Sequence, residues 1–268
     1  MGLTSKILRN EKFCSSCFAY LRRRASGWKL DAPPVFVVGC GHSGTSVLLR
    51  ILGAHSRIYA VPYESRVFMH SGFKKKLARM VWSRDAIAHG KRRWVEKTPG
   101  HVRYIKDVFS DYPDAKVLVV VRDGRDVAVS FRKRFGEFEK GLQRWVADNQ
   151  AAEEWKDHPN VMSLTYEQLV KDSDAAMAKV CEFIGEPFEE TMFSFHEKPM
   201  EIFSQNATTV SENEGQNHNQ FRNWQINQKL FDGSGKWMAE MTAAEKAQFK
   251  PVAGDMLIAY GYASDNEW

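Results

Sequence analysis

The sequence predicts an α/β protein built on a central parallel sheet flanked by helices. Two observations predict it. Short, continuously apolar runs recur along the chain, above all Val35 to Val38 and Lys116 to Val121, with the length and composition of strands buried on both faces. Longer stretches with helical spacing separate them, and strands alternating with helices imply parallel pairing. A third observation fixes the orientation of interest: the first apolar run ends in a glycine-rich turn that opens directly into a helix.

Taken in order, Asp31 to Pro34 breaks the chain ahead of the first strand. Gly39 to Gly44 forms the turn, and Thr45 to His55 reads as a helix whose Val47, Leu48, Ile51 and Leu52 share a buried side. Arg57 to Val61 is a candidate second strand, and residues 66–90 read as a basic helical stretch. Trp94 to Glu96 begins a third strand, followed by Lys97-Thr98-Pro99 and a helix over Val102 to Phe109. The strand over 116–121 ends in Arg122-Asp123-Gly124. Helices are expected over Val127 to Phe135 and 138–156. Val161 to Thr165 is the last strand, and Tyr166 opens another helix. Residues 196–236, rich in Asn, Gln, Ser and Gly, read as a long loop region, and residues 242–262 as a closing helix.

The 268 residues suffice for one large α/β domain. Residues 1–32 read as a basic, partly helical leader and residues 33–268 as a single domain. The formal charge of +5 suits an anionic ligand. It is spread along the chain rather than gathered into the basic face of a nucleic-acid binder, so no nucleic-acid partner is expected. No run is long and apolar enough to be a transmembrane helix, and the first thirty or so residues lack the apolar core of a signal peptide, which gives a cytoplasmic expectation. Cys14, Cys17, Cys40 and Cys181 are expected as free thiols there. The Cys14–Cys17 pair lacks a second ligand pair nearby, so no metal site is expected.

Gly39-Cys40-Gly41-His42-Ser43-Gly44-Thr45-Ser46 stands between a strand and a helix. Glycines let backbone N–H groups converge on an anion, the helix N-terminus adds partial positive charge, and Thr45 and Ser46 add hydroxyls. Gly41, His42, Ser43, Gly44, Thr45 and Ser46 are therefore candidate phosphate-binding residues. The segment also satisfies the dinucleotide fingerprint GxGxxG, and it satisfies a nucleotide-kinase loop that lacks its lysine. Spacing alone leaves both readings open. Further on, a buried strand delivers Arg122 to its carboxyl edge, where α/β sheets bind ligands. Ser130 follows on the next helix. A guanidinium fork and a hydroxyl can hold a second phosphate, or Arg122 can simply pair with Asp123 or Asp126.

The segments FVVGCGHSGTSVLLRIL and VLVVVRDGRDVAVS together resemble the PAPS-dependent sulfotransferases (PAPS is 3′-phosphoadenosine 5′-phosphosulfate). The likeness continues in order through AHSRIYAVPYESRVF, WVEKTPGHVRYI, LTYEQLVKD and GKWMAEMTAAEKAQF. It covers most of residues 35–262 and is strongest toward the branch that holds protein-tyrosine sulfotransferases and many bacterial enzymes. The resemblance implies a P-loop-like three-layer fold and in-line sulfuryl transfer from PAPS to an acceptor hydroxyl or amine. It implies no metal and leaves the acceptor and the oligomeric state open.

The resemblance also implies roles. The glycine loop would bind the 5′-phosphosulfate, and Arg122 and Ser130 the 3′-phosphate. Glu64 would be the general base and Lys97 a cation beside the transferring group. Tyr166 would contact the nucleotide, and Lys236 would belong to a late basic loop over the 3′-phosphate. His42 departs from the pattern, standing where the family carries a Lys or Arg that touches the phosphosulfate; protonated, its imidazole would supply the same charge, which makes His42 a catalytic candidate beside Glu64 and Lys97. Two other classes are weighed beside this one: a nicotinamide-dependent oxidoreductase using the GxGxxG loop, and a non-catalytic nucleotide-binding protein of the same fold.

Overall fold

A computed structural model describes residues 30–69, 72–202 and 218–268. Five parallel strands form its sheet: β1 (Val35–Gly39), β2 (Ile58–Ala60), β3 (Arg93–Lys97), β4 (Lys116–Val121) and β5 (Val161–Thr165), in the order β2-β3-β1-β4-β5. Every residue of β1 and β3 is buried; the continuously apolar sequence of β1 requires it, whereas β3 buries three charged side chains, Arg93, Glu96 and Lys97.

The two-residue alternation of β1 sorts its side chains between two cores. Val35 and Val37 face α1 (Thr45–Ala54) and α7 (Ser173–Ile184), through Leu48, Ile51, Leu52, Met177 and Val180. Phe36 and Val38 face α2 (Gly72–Ala88) and α3 (Ile105–Asp111), through Leu77, Trp82, Ile105 and Val108. Phe36 centres an aromatic cluster, with ring centroids 5.4 Å from Trp94, 5.3 Å from Tyr112 and 5.7 Å from Phe68. Truncating so buried a ring costs about 3–5 kcal/mol. A third cluster joins α4 (Gly124–Phe135), α5 (Phe138–Glu153) and α10 (Ala243–Ala259) through Val127, Trp145 and Phe249. The expected three-layer arrangement, helix on sheet on helix, is present.

Strand order positions the site. After β1 the chain runs outward to β2 and returns to β3 beside β1; it then crosses to β4 on the other side of β1. The switch point lies between β1 and β4, where the carboxyl edge of an open sheet opens a crevice. The dinucleotide-binding order places the second strand next to the first. Here β3 occupies that place.

Several boundaries differ from the sequence reading. The helix expected over Val102 to Phe109 is a 3-10 turn, Pro99–Tyr104, followed by α3. α4 starts at Gly124, three residues before the expected Val127, because the Asp123 side chain caps it by accepting from the Arg125 amide. α7 lies in a stretch the sequence reading left unassigned. The region read as a long loop over 196–236 contains α8 (His218–Gln225), while residues 203–217 lie outside the described residues. The closing helix is opened by a Thr242–Glu245 capping box and tolerates Pro251. Short helices α6 (Tyr166–Lys171) and α9 (Trp237–Glu240) complete the described chain. The leader through residue 29, with Cys14 and Cys17, lies outside the described residues.

Candidate active site

The glycine loop is shaped by close approaches. A Cβ at Gly39, with φ +138°, would stand 2.4 Å from the Val120 carbonyl oxygen on β4. Gly44, with φ +92°, ends the loop as N-cap of α1, and no side chain caps that helix end. The first-turn N–H groups of a helix lack intrahelical acceptors, so this end presents donors to an anion. His42 adopts φ +73°, a left-handed conformation uncommon outside glycine.

A cavity of about 1030 Å³ opens beside this loop at the carboxyl edge of the sheet. That is room for a nucleotide. Its wall brings together Gly41, His42, Gly44, Thr45 and Ser46 from the loop, Glu64 from the segment after β2, Arg122 and Ser130 from the β4–α4 unit, and Tyr166 from the end of β5. Among the described wall residues, Arg66, Lys74, Arg122, Arg134, Arg144 and Lys229 stand against a single carboxylate, Glu64.

Arg122 is held by uncharged acceptors. Its Nη1 donates to the His42 carbonyl at 3.1 Å and its Nη2 to the Gly233 carbonyl at 2.6 Å. The guanidinium lies 4.4 Å from the centre of the Tyr166 ring, and its Nε, though buried, has no hydrogen-bond partner. Asp126, one of the two pairing partners that spacing allowed, stands 3.7 Å from the guanidinium, and its carboxylate also accepts from the backbone N–H groups of Gly235 and Trp237. Trp145 Nε1 donates to the Arg122 carbonyl at 2.9 Å and fixes the strand end. The surface pairing with Asp123 that spacing allowed does not form; Asp123 pairs with Arg125.

His42 and Ser130 are directly joined, Nδ1 to Oγ at 2.8 Å, and the imidazole packs 5.6 Å from the Phe131 ring. The Tyr166 hydroxyl donates to the Phe231 carbonyl at 3.2 Å and accepts from the Gly233 amide at 3.1 Å. Burial pushes its phenol above the usual pKa, with the Arg122 charge opposing.

Across the cavity, Lys97 Nζ donates to Glu64 Oε1 at 2.5 Å. Lys97 is completely buried, whereas the Glu64 side chain is 20% exposed. Three candidates are absent from the wall. Ser43 is buried, its Oγ without a hydrogen-bond partner. Lys97 lies beneath the wall and reaches it through Glu64. Lys236 is exposed at the start of α9.

Of the six basic wall residues, sequence reasoning named only Arg122 as a site residue; Arg134 and Arg144 are two of those it missed. Arg134 sits one helical turn after Ser130, so the i, i+4 spacing on α4 was the available signal. Burial lowers its pKa, while Glu64 acts in the opposite sense. Arg144 comes from α5, its guanidinium carbon 3.5 Å from where a Cβ on Gly41 would lie, and it pairs with Asp148 at 3.3 Å. Nothing local in sequence points to it. Among the described residues no cluster of His, Cys, Asp and Glu could hold a metal ion, and no helix is long and apolar enough to cross a membrane.

These features can hold two anionic groups, one at the loop and one at Arg122, with a carboxylate and a buried ammonium opposite. Known proteins share the arrangement's framework. A sequence model of the sulfotransferase family matches residues 70–190, downstream of the glycine loop. Protein-tyrosine sulfotransferase A of Caenorhabditis elegans is 26% identical over 210 residues, which is 63% of this chain and 54% of that protein. Protein-tyrosine sulfotransferase of Drosophila melanogaster is 24% identical over 233 residues, 73% of this chain and 46% of that one. The chain thus spans about half the length of these relatives. Among solved structures, the sulfotransferase domain of the Synechococcus PCC 7002 olefin synthase aligns with a TM-score of 0.59 at 16% identity, covering 84% of this chain and 96% of the domain. Mouse sulfotransferase SULT7A1, complexed with PAP, aligns with a TM-score of 0.53 at 18% identity, covering 88% of this chain and 89% of that one. The resemblance to the sulfotransferases is thereby carried by a family match over residues 70–190, by relatives of that name and by a shared P-loop-like fold.

Proposed function

We propose that the protein transfers a sulfuryl group from PAPS to an acceptor hydroxyl or amine. One observation carries the reading: the glycine loop and the Arg122 fork lie on a single cavity wall, with Glu64, held from beneath by Lys97, facing the same space. PAPS has an anion at each end of its ribose, a 5′-phosphosulfate and a 3′-phosphate, and that wall offers two anion sites. The residues fit such a ligand. The loop ends in an uncapped helix N-terminus, and Arg122 is held by carbonyl groups that a phosphate oxygen can replace.

In the reaction the acceptor oxygen or nitrogen forms a bond to sulfur. The bond between sulfur and the bridging phosphate oxygen breaks, and PAP departs with that electron pair. The Glu64 carboxylate takes the acceptor's proton. Lys97 and the loop amides supply fixed positive charge beside the group in flight. His42 joins Ser130 and Arg122 through its ring and its carbonyl, contacts that support a role in holding the 3′-phosphate side beside its place in the loop. Lys236 carries no role in this reading.

The nicotinamide alternative is disfavoured by strand order and by Glu64, the acidic residue nearest the end of β2, which is committed to Lys97. Thermal unfolding with added nucleotides tests the choice. PAP at a hundred times its Kd should stabilise the protein by about 2.7 kcal/mol, and NAD should leave it unchanged. A shift with NAD and none with PAP would overturn the proposal.

A further inference from the structure

Glu96 is a buried carboxylate with no part in the chemistry above. It precedes Lys97 on β3, so strand alternation sends the two side chains to opposite faces of the sheet. Its Oε1 accepts from the Ser65 amide at 3.1 Å, the Ser65 hydroxyl at 2.8 Å and the Thr98 hydroxyl at 2.6 Å. Its Oε2 meets His101 Nδ1 at 3.2 Å. Burial alone would raise its carboxyl pKa; His101 and the hydroxyl donors outweigh this and hold it below the ordinary value.

The network extends along the segment that follows Glu64. The Arg66 amide donates to Thr98 Oγ1 at 3.2 Å, the Val67 amide to Ser65 Oγ at 3.3 Å and the Phe68 amide to His101 Nε2 at 3.4 Å. Four consecutive backbone amides, residues 65 to 68, therefore end on Glu96 or on a side chain that Glu96 engages. Arg66 within this segment adopts φ +51°, a conformation that persists in a residue other than glycine when its surroundings impose it. Because His101 Nε2 accepts from an amide, its proton is on Nδ1 and points at Glu96.

We propose that Glu96, with Thr98 and His101, is a positioning residue for Glu64. The last two residues of β3 grip the base from both ends: Glu96 fixes the backbone that carries it, and Lys97 fixes its carboxylate. This inference rests on Glu64 being the base, and the experiment separates the two ideas. Glu96→Gln keeps the shape and one acceptor oxygen. It presents an amide N–H₂ to His101 Nδ1, which drives the imidazole to its other tautomer and opposes the Phe68 amide with a second donor.

The measurements use the full chain: PAPS consumption with water or a simple phenol as acceptor, PAP affinity, and amide hydrogen exchange. Glu96→Gln should lower turnover by about 10–100-fold, the scale of a small misplacement of a reacting group. PAP affinity should stay within twofold, and exchange should rise at residues 65–68 while the glycine loop stays protected. In a Glu64→Gln background the same change should lower turnover less than twofold further, since its effect passes through Glu64. An equal fold-loss in both backgrounds, or unchanged exchange at residues 65–68, overturns the proposal. If Glu64→Gln alone leaves turnover normal, the base assignment falls instead. If Glu96→Gln does not fold, Thr98→Val carries the same readouts, with Thr98→Ser expected to restore exchange and turnover; a Thr98→Val protein identical to wild type in both overturns the proposal.

Discussion

The two ends of the sheet use the same kinds of residue to opposite effect. At the amino end, Arg93 opens β3 buried against Glu186 at 2.8 Å, with Arg57 and Arg92 each 3.7 Å from the same carboxylate. His55 lies 3.5 Å from Glu189, which also accepts from Ser56. Arginines there meet carboxylates. At the carboxyl end, Arg122 donates to two carbonyl oxygens, with Asp126 3.7 Å away and itself accepting from backbone amides, and six basic wall residues share the cavity with one wall glutamate. Charge paired with charge holds a structure together and attracts little; charge paired with dipoles keeps a field that an incoming anion can use. The difference teaches which cluster is a brace and which is a site, more plainly than the count of arginines does.

That contrast can be broken in four places. Glu64→Gln removes the one carboxylate among the described wall residues while preserving its shape. Turnover should fall by about 10²–10⁴-fold with PAP affinity retained. Steady-state rates and a PAP titration check this, and normal turnover would make Glu64 a mere partner of Lys97. Glu186→Gln attacks the other end. It strands the buried Arg93 and should cost about 3–5 kcal/mol of stability, read by denaturant unfolding. PAP affinity of the folded protein should not move; if it does, the two ends are not separate.

Arg122→Ala should show the reverse pattern. PAP binding should weaken by about ten- to a hundredfold, following the worth of a charge-assisted hydrogen bond, while a nucleotide without the 3′-phosphate binds nearly as before. Equal losses would show that Arg122 does not read that phosphate. The smallest effect is expected of His42→Ala. Losing the link to Ser130 should weaken PAP by about two- to tenfold, the net worth of one hydrogen bond. Isothermal titration resolves it, and an unchanged affinity would leave Ser130 as an independent ligand.

Legibility followed the range over which each feature is built. The β1–loop–α1 unit and Arg122 are local: an apolar run, a turn and a helix start announce them within a dozen residues. The Glu64–Lys97 pair joins positions 33 residues apart, and only the family resemblance brought them together before the fold was known. Arg144 reaches the loop from α5 through tertiary packing, so no pattern near either residue reveals it. Lys236 was misplaced for a related reason. Its segment is anchored by Asp126 through backbone amides, which brings the Gly233 carbonyl, not the lysine, to Arg122. Glu96 looked like an ordinary strand residue, because its value lies in amides that no side-chain pattern records.

Gly44 and Tyr166 give the loop and the fork a common gear. A Cβ on Gly44 would strike the Tyr166 ring at 2.5 Å, and the same side chain bears on Arg122, 4.4 Å from its ring centre, and accepts from the Gly233 amide through its hydroxyl. A ring in contact with both a turn and a guanidinium transmits displacement in either direction. Anyone redesigning the pocket for a donor with a different spacing between its anions would therefore meet an inherited linkage: moving the turn retunes the fork, and the aromatic wedge must be recut with both.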